Sequence, residues 1–475
     1  MSQTRPPSVP DAVPLTASAI EVATPADRDR WLDTLRVGSL LVVVLGHWLM
    51  VAITPDGRIS NALAVVPALQ PLTWLLQVMP LFFLVGGVAH AHTLQSLERR
   101  SPAGRGRYAA FFRRRAARLL RPTLAFLVVW VALGVAADLS GLTLRPGDAG
   151  RLARDALVMV PQLLWFVGIY LGACAFAPLM RRLHQRWGLV VVAVLVALAV
   201  AVDVVRFGGG PELVGNLNFA LVWLALHQLG FAWRDGLLTT RRGWGMVVAG
   251  FGAMGLAVAL GPYPTSMVGL PGEAVSNMAP PTAALLAQGI GICGLAVVLR
   301  PVMTRVLARP PRAWGAVVVA GAFAMTAFLW HLTALMTVLL AMRGLGITQP
   351  AVASWAWWAT RPVLFGVLAA VTAVLVAVFV RFDRPPAAAD GTSASAHSAA
   401  VEDRRWVDPV AAVSAGVLFF GILIVSIVGV DVLGNRPVYF LVGDVTPAVG
   451  FAVLVAGLLL LRATRTRTSR TSRSE

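Results

Sequence analysis

From Val37 to Thr54 the chain runs for eighteen residues without an Asp, Glu, Lys or Arg. A stretch that long and that apolar crosses the hydrocarbon core of a bilayer as a helix. Runs of the same kind recur, and together they lie near 37–54, 70–91, 122–140, 156–180, 188–205, 214–233, 244–262, 282–300, 315–342, 355–380, 409–430 and 446–461, twelve expected spans. Hydrocarbon offers no partner to an unpaired N–H or C=O, so such a chain folds as an all-α, polytopic integral membrane helical bundle. Composition agrees: 57% of residues are hydrophobic and 13% charged, with a mean hydropathy of +0.75, more apolar surface than a soluble domain of this length carries. The first apolar run is long and lacks a small-residue cleavage site, so no removable signal peptide is expected.

Charge orients the bundle. All 40 basic residues are arginine, and 32 of them lie in the two termini and the even-numbered connections, which by the positive-inside rule puts both termini in the cytoplasm of a plasma-membrane protein. The net charge of +18 follows from that rule. No nucleic-acid motif or interleaved aromatics accompany it, so no nucleic-acid partner is expected. The tail RATRTRTSRTSRSE reads as an anchor to anionic lipid. Cys174 and Cys293 each fall inside a span, which implies neither a disulfide framework nor a thiolate metal site. Residues 1–29, rich in Pro, Ser and Ala, read as a disordered cytoplasmic tail. Residues 30–382 form a ten-span core, 383–408 a low-complexity cytoplasmic linker, and 409–475 a two-span extension with a basic tail.

Ionisable groups inside the apolar runs are the candidates for function, because they are costly there. His47 lies eleven residues past Arg36, roughly 16 Å along a helix and about half the depth of the hydrocarbon core. His331 sits near the middle of the ninth span, at a comparable depth. Each imidazole either faces a cavity as a working group or is held neutral by a hydrogen bond to a neighbouring helix. Asp33 and Arg36 mark the mouth of the first span. Arg115, Arg118 and Arg121 repeat at i+3 on the helix leading to Pro122, placing three guanidinium groups along one side. They either cradle phosphates or touch lipid headgroups and set topology. Arg361, among Trp355, Trp357 and Trp358, either snorkels to the outer interface or offers a cation to an oxyanion or acceptor. Trp165 suits an aromatic belt. His90 and His92, at i,i+2, point to different faces and read as interfacial, not as a metal site; His227 and Gln228 read as structural. Gly86 and Gly87 read as a close helix approach, and the Gly-rich seventh span as helix packing. Glu273, in the long outer connection, is a further candidate acceptor contact.

Arg36, ten intervening residues and His47 resemble the R-X10-H signature that opens membrane-bound acyltransferase family 3. LDTLRVGSLLVVVLGH is similar to its first helix, most closely to that of the glucan biosynthesis protein C-like branch. Leu81–Gly87, LFFLVGG, resembles the family's FF-x-x-SG, with Val85 or Gly86 where a Ser is common. Arg115-Ala-Ala-Arg118 is similar to an R-x-x-R motif that meets the acyl-CoA donor, LLWFVGIYL to an LWFL-type segment, and FLWH to a late LWH. The resemblance covers roughly residues 30–380 and a ten-helix core, which leaves the last two spans as an extension.

What the resemblance implies is an O-acyltransferase that moves an acyl group, acetyl or succinyl, from cytoplasmic acyl-CoA to a hydroxyl of a carbohydrate or lipid-linked acceptor at or beyond the outer face. His47 would be general base or transient acyl carrier, and His331 would orient it or relay a proton. Arg36, paired with Asp33 or free to meet phosphate, would guard the donor side with Arg115, Arg118 and Arg121. Trp165 would line the acceptor entrance, and Arg361 stays a candidate cation for an acyl oxyanion or the acceptor. No metal and no bound cofactor is implied beyond acyl-CoA as donor substrate. Two other readings fit the same pattern: a proton-coupled transporter, to which the absence of an internal repeat is unfavourable, and a non-catalytic membrane partner of the same fold.

Overall fold

The structure is a computed structural model that describes residues 20–22, 24–25, 28–53, 59–100, 106–308, 311–382 and 405–464. Its main helices are α1 (Arg30–Met50), α2 (Met79–Arg100), α3 (Arg107–Leu139), α4 (Asp148–Gln162), α5 (Leu164–Trp187), α6 (Val190–Phe207), α7 (Asn218–Arg234), α8 (Thr240–Leu260), α9 (Ala283–Ala308), α10 (Pro311–Gly344), α11 (Trp355–Phe379), α12 (Val407–Val428) and α13 (Pro447–Ala463). Among the described residues the strands are confined to two short antiparallel hairpins, β1 (Val51–Ile53) with β2 (Ile59–Asn61) and β3 (Val438–Phe440) with β4 (Gly443–Val445). The protein is an all-α multi-pass membrane bundle.

Among the described residues, eleven helical stretches are long and apolar enough to cross a bilayer. The twelfth expected span is α13, whose 17 residues cover roughly 25 Å, a little short of the hydrocarbon core. Two spans are less regular than their hydropathy suggests. The one expected from residue 70 starts as a 3-10 turn and a four-residue helix, and becomes regular at Met79, where Gln77 Oε1 accepts from the Met79 N–H at 3.1 Å. The one expected from 156 is divided between α4 and α5 beside Pro161, which has no N–H to give to the helix ladder.

Polar ties knit the arginine-rich ends of the helices together. Arg30 donates to the Leu307 carbonyl at 3.1 Å, Arg300 pairs with Asp29 at 2.9 Å, and Trp31 Nε1 donates to the Ala296 carbonyl at 2.9 Å. Arg181 pairs with Asp235 at 2.6 Å. These contacts bring α1, α5, α7 and α9 to a common end. Part of the expected tail is packed, while its residues 1–19 lie outside the described residues: Ile20 is buried, Glu21 pairs with Arg30, and Trp314 Nε1 donates to Thr24 Oγ1 at 2.8 Å. A buried indole N–H needs an acceptor, so the last part of the expected free tail is packed on α10. The expected linker is described only from Arg405, and residues 383–404 and 465–475 lie outside the described residues.

The extension is part of the bundle. α12 packs on α5, where Gly168 and Gly172 make room for Ile422 and Phe419, and Asp408 at its start accepts from the backbone N–H groups of Gly106 and Ala109 at 2.9 and 3.0 Å. Those N–H groups are the unpaired donors of the first turn of α3. The glycine readings hold as well. A Cβ on Gly87 would run into the His227 carbonyl oxygen, and one on Gly230 into that of Leu84, so α2 and α7 touch backbone to backbone. Gly250 meets Gly291 in the same way between α8 and α9.

Candidate active site

His47 and His331, 284 positions apart in sequence, meet between α1 and α10. His47 Nδ1 lies 3.0 Å from His331 Nε2, with ring centroids 5.1 Å apart and planes inclined by 28°. His331 Nδ1 lies 2.6 Å from the Phe328 carbonyl oxygen. A carbonyl can only accept, so in the neutral pair the proton of His331 is on Nδ1 and its Nε2 carries a lone pair. His47 must then donate from Nδ1, which leaves His47 Nε2 as a bare acceptor. The Val43 carbonyl, one turn back on α1, also lies in hydrogen-bonding reach of the His47 ring. His47 Nε2 has no other hydrogen-bond partner among the described residues, and the side chain is half-buried while His331 is fully buried. One nitrogen of the pair is therefore free to take a proton.

The surroundings fix both rings. Trp48 Nε1 donates to the His331 carbonyl at 3.3 Å, and Trp130 Nε1 to Thr333 Oγ1 at 3.0 Å. Phe328 lies edge-on to Phe166 at 5.5 Å, and Phe166 continues to Trp165 at 6.2 Å and Tyr170 at 5.8 Å. Trp165 thus belongs to an aromatic wall reaching the histidine pair, beyond anything an interfacial belt requires. Toward the β1–β2 end, Trp48 meets Phe365 edge-on at 6.0 Å, and Trp357 packs with Ala52 and Ala62. Arg361 does not snorkel: it is buried, its Cζ lies 4.5 Å from the centre of the Trp357 ring, and its Nε donates to the Trp357 carbonyl at 3.2 Å.

At the arginine-rich end, Asp33 is held between Arg28 at 2.7 Å and Arg36 at 3.3 Å. The Arg36 guanidinium lies beside Gly321 of α10, where a Cβ would come within 3.3 Å of Nη2. Arg36, Arg114 and Arg115 all lie within electrostatic reach of Arg118, so α1 and α3 build one positive mouth. Arg115, Arg118 and Arg121 of α3 are not equivalent, as an i+3 row would have them. Arg115 turns to α2, donating to the Ala89 carbonyl at 2.7 Å and to Thr93 Oγ1, while Arg118 and Arg121 are exposed. Each i+3 step rotates about 60° short of a full turn, enough to bring the first of the three against α2.

Sequence reasoning missed a second buried pair. His90 was expected at an interface, yet it is fully buried, with Nδ1 2.9 Å from His227 Nε2 and Nε2 3.4 Å from Cys174 Sγ, and with Tyr170 packed at 5.6 Å. His92 is exposed. Two residues apart on a helix, only one of the two could face the bundle. The available signal was the pair of ionisable rings, His90 and His227, inside apolar segments; hydropathy gives their depth but not their facing.

A family model described as an acyltransferase domain matches residues 29–381. No curated protein and no solved structure matches the chain. The matched stretch runs from the residue before α1 to the end of the helix after α10, so it contains the histidine pair, the arginine mouth and Arg361, and stops before α12.

Proposed function

The chain belongs to membrane-bound acyltransferase family 3, and on that premise we propose that it moves an acyl group, acetyl or succinyl, from acyl-CoA on the cytoplasmic side of the plasma membrane to a hydroxyl of a carbohydrate or lipid-linked acceptor on the far side. The bare Nε2 of His47 carries this reading: a half-buried base in the interior of the bundle, fixed by His331 and in line with Arg36 on α1. The acceptor hydroxyl donates its proton to His47 Nε2 as its oxygen attacks the thioester carbonyl. The C–S bond then breaks, and the departing CoA thiolate recovers the proton from the same nitrogen. While His47 is an imidazolium, its Nδ1–H points at His331 Nε2, and the His331 Nδ1–H points at the Phe328 carbonyl, so the transient charge is stabilised by groups already aligned.

Arg36 and Arg118, with the exposed Arg121 farther along α3, supply the cationic surface for the phosphates of CoA, to which guanidinium binds bidentately. Arg115 holds that surface to α2, and Asp33 keeps Arg36 in place. Trp165 would form part of the acceptor side of the aromatic wall beside the histidine pair. With the arginine-rich connections inside, both termini are cytoplasmic.

The test uses full-length protein in proteoliposomes. His47→Ala is expected to insert and fold while lowering transfer of a labelled acyl group from acyl-CoA to the membrane or glycan fraction by about 10²–10⁴. Transfer at the unsubstituted rate would remove His47 from the mechanism.

A further inference from the structure

Two arginines are buried among the described residues, Arg181 and Arg361. Arg181 has a carboxylate, Asp235, at 2.6 Å. Arg361 has none among the described residues. Its side chain makes one hydrogen bond, from Nε to the Trp357 carbonyl, and its Nη1 is buried with no acceptor. Beside it the indole N–H of Trp357 is likewise buried and unpaired. The exposures, 5% for Arg361 and 1% for Trp357, rule out water as a general substitute. A buried cation without a counter-charge is costly, and buried donors normally find acceptors. Stacking of the guanidinium on Trp357 fixes its plane but pairs none of these N–H groups.

Position ties this corner to the histidines. Trp48, next to His47, touches Phe365, and Arg361 is one helical turn from Phe365 toward Trp357, which packs on Ala52, two residues past the end of α1. The unpaired donors therefore lie about a turn beyond the histidine pair on the side away from Arg36. Among the described residues, donors without acceptors, a cation without an anion and an aromatic platform together describe the half of a site that receives an oxyanion.

We infer that Arg361 and Trp357 bind an anionic oxygen group, phosphate or carboxylate, carried by the acceptor about one helical turn from the hydroxyl presented to His47. This rests on the acyl-transfer reading above and narrows its acceptor from any hydroxyl compound to an acidic one. A phosphate ester and a uronate share the required chemistry.

The experiment uses the full chain in proteoliposomes with labelled acetyl-CoA and three soluble probes: glucose, glucose 1-phosphate and glucuronate. At least one anionic sugar is expected to have a KM about tenfold or more below that of glucose, the scale of a hydrogen bond to a charged group. Arg361→Gln is expected to bring that ratio close to one, and Arg361→Lys, which keeps the charge without the fork, to retain part of it. Whether the phosphate or the uronate is favoured identifies the source of the anion. A ratio near one in the unsubstituted chain, or one that survives Arg361→Gln, overturns the inference. Equilibrium binding of the labelled anionic sugars without acyl-CoA separates the two readings. Binding that depends on Arg361 in a protein that transfers nothing supports the anion site and counts against acyl transfer. No Arg361-dependent binding of either sugar overturns the anion site and leaves acyl transfer standing.

Discussion

Replacing His331 with Phe keeps a flat ring in the same buried slot while removing the acceptor that His47 faces. In the neutral pair, His47 Nδ1–H loses its partner at 3.0 Å. A net hydrogen bond of about 1 kcal/mol shifts the tautomer balance roughly fivefold. In the transition state the loss is larger, because the imidazolium loses a charge-assisted hydrogen bond of about 1.5–3 kcal/mol. His331→Phe should therefore lower kcat by about ten- to a hundredfold and leave the KM for acyl-CoA within about twofold, since the arginine mouth is untouched. His47→Ala removes the base itself and should cost about 10²–10⁴ in rate. The informative variant is the double substitution. Residues that act as one unit are not additive, so adding His331→Phe to His47→Ala should cost nothing further. The assay is initial-rate acyl transfer in proteoliposomes, with thermal unfolding to confirm that each variant is folded. If the two losses multiply, His331 does not act through His47 and the assigned tautomers carry no catalytic meaning.

Three further outcomes test the scaffold. Gly87→Ala puts a methyl group against the His227 carbonyl, and should destabilise the bundle by about 1–3 kcal/mol, read as a lower unfolding temperature in detergent. Asp408→Ala removes the acceptor of two backbone N–H groups at the start of α3, a capping loss of about 1 kcal/mol, and should speed hydrogen exchange in the first turn of α3, with Asp408→Asn partly restoring protection. In the connection between α12 and α13, burial and then the neighbouring Asp138 carboxyl hold the Asp431 carboxyl above its usual range. A raised carboxyl stabilises the fold most when protonated, so the protection of this connection, its exchange taken relative to the intrinsic rate at each pH, should fall as pH rises through that value, and Asp431→Asn should flatten that fall; an unchanged protection profile would contradict it.

How much of this was legible in the sequence depends on what each residue's neighbours in the chain can reveal. Spans follow from apolar length, and the depth of His47 and His331 from counting residues after Arg36 and along the ninth run. That the two rings touch could not be counted, because it depends on how α1 and α10 are rotated about their axes. The same limit hid the burial of His90 and its bond to His227. Arg361 shows it from the other direction: a cation near three tryptophans fits a snorkelling side chain and a buried one equally well, until α11 packs Trp357 on Ala52. The i+3 row of Arg115, Arg118 and Arg121 gave three nearby charges, but α2 decides that the first turns inward. Hydropathy also passed smoothly over the breaks at Gln77 and Pro161, because it registers apolarity and not hydrogen-bond geometry.

The central claim is that His47 is held with its proton on Nδ1 and its Nε2 bare where the reactants meet. Nitrogen NMR of the full chain with ¹⁵N-labelled histidine, assigned by comparison with His47→Ala, measures this directly. A protonated Nδ1 and an unprotonated Nε2 whose resonance moves when acyl-CoA and an acceptor are added are the predicted result. The opposite tautomer, or an Nε2 signal that neither reactant disturbs, would contradict it.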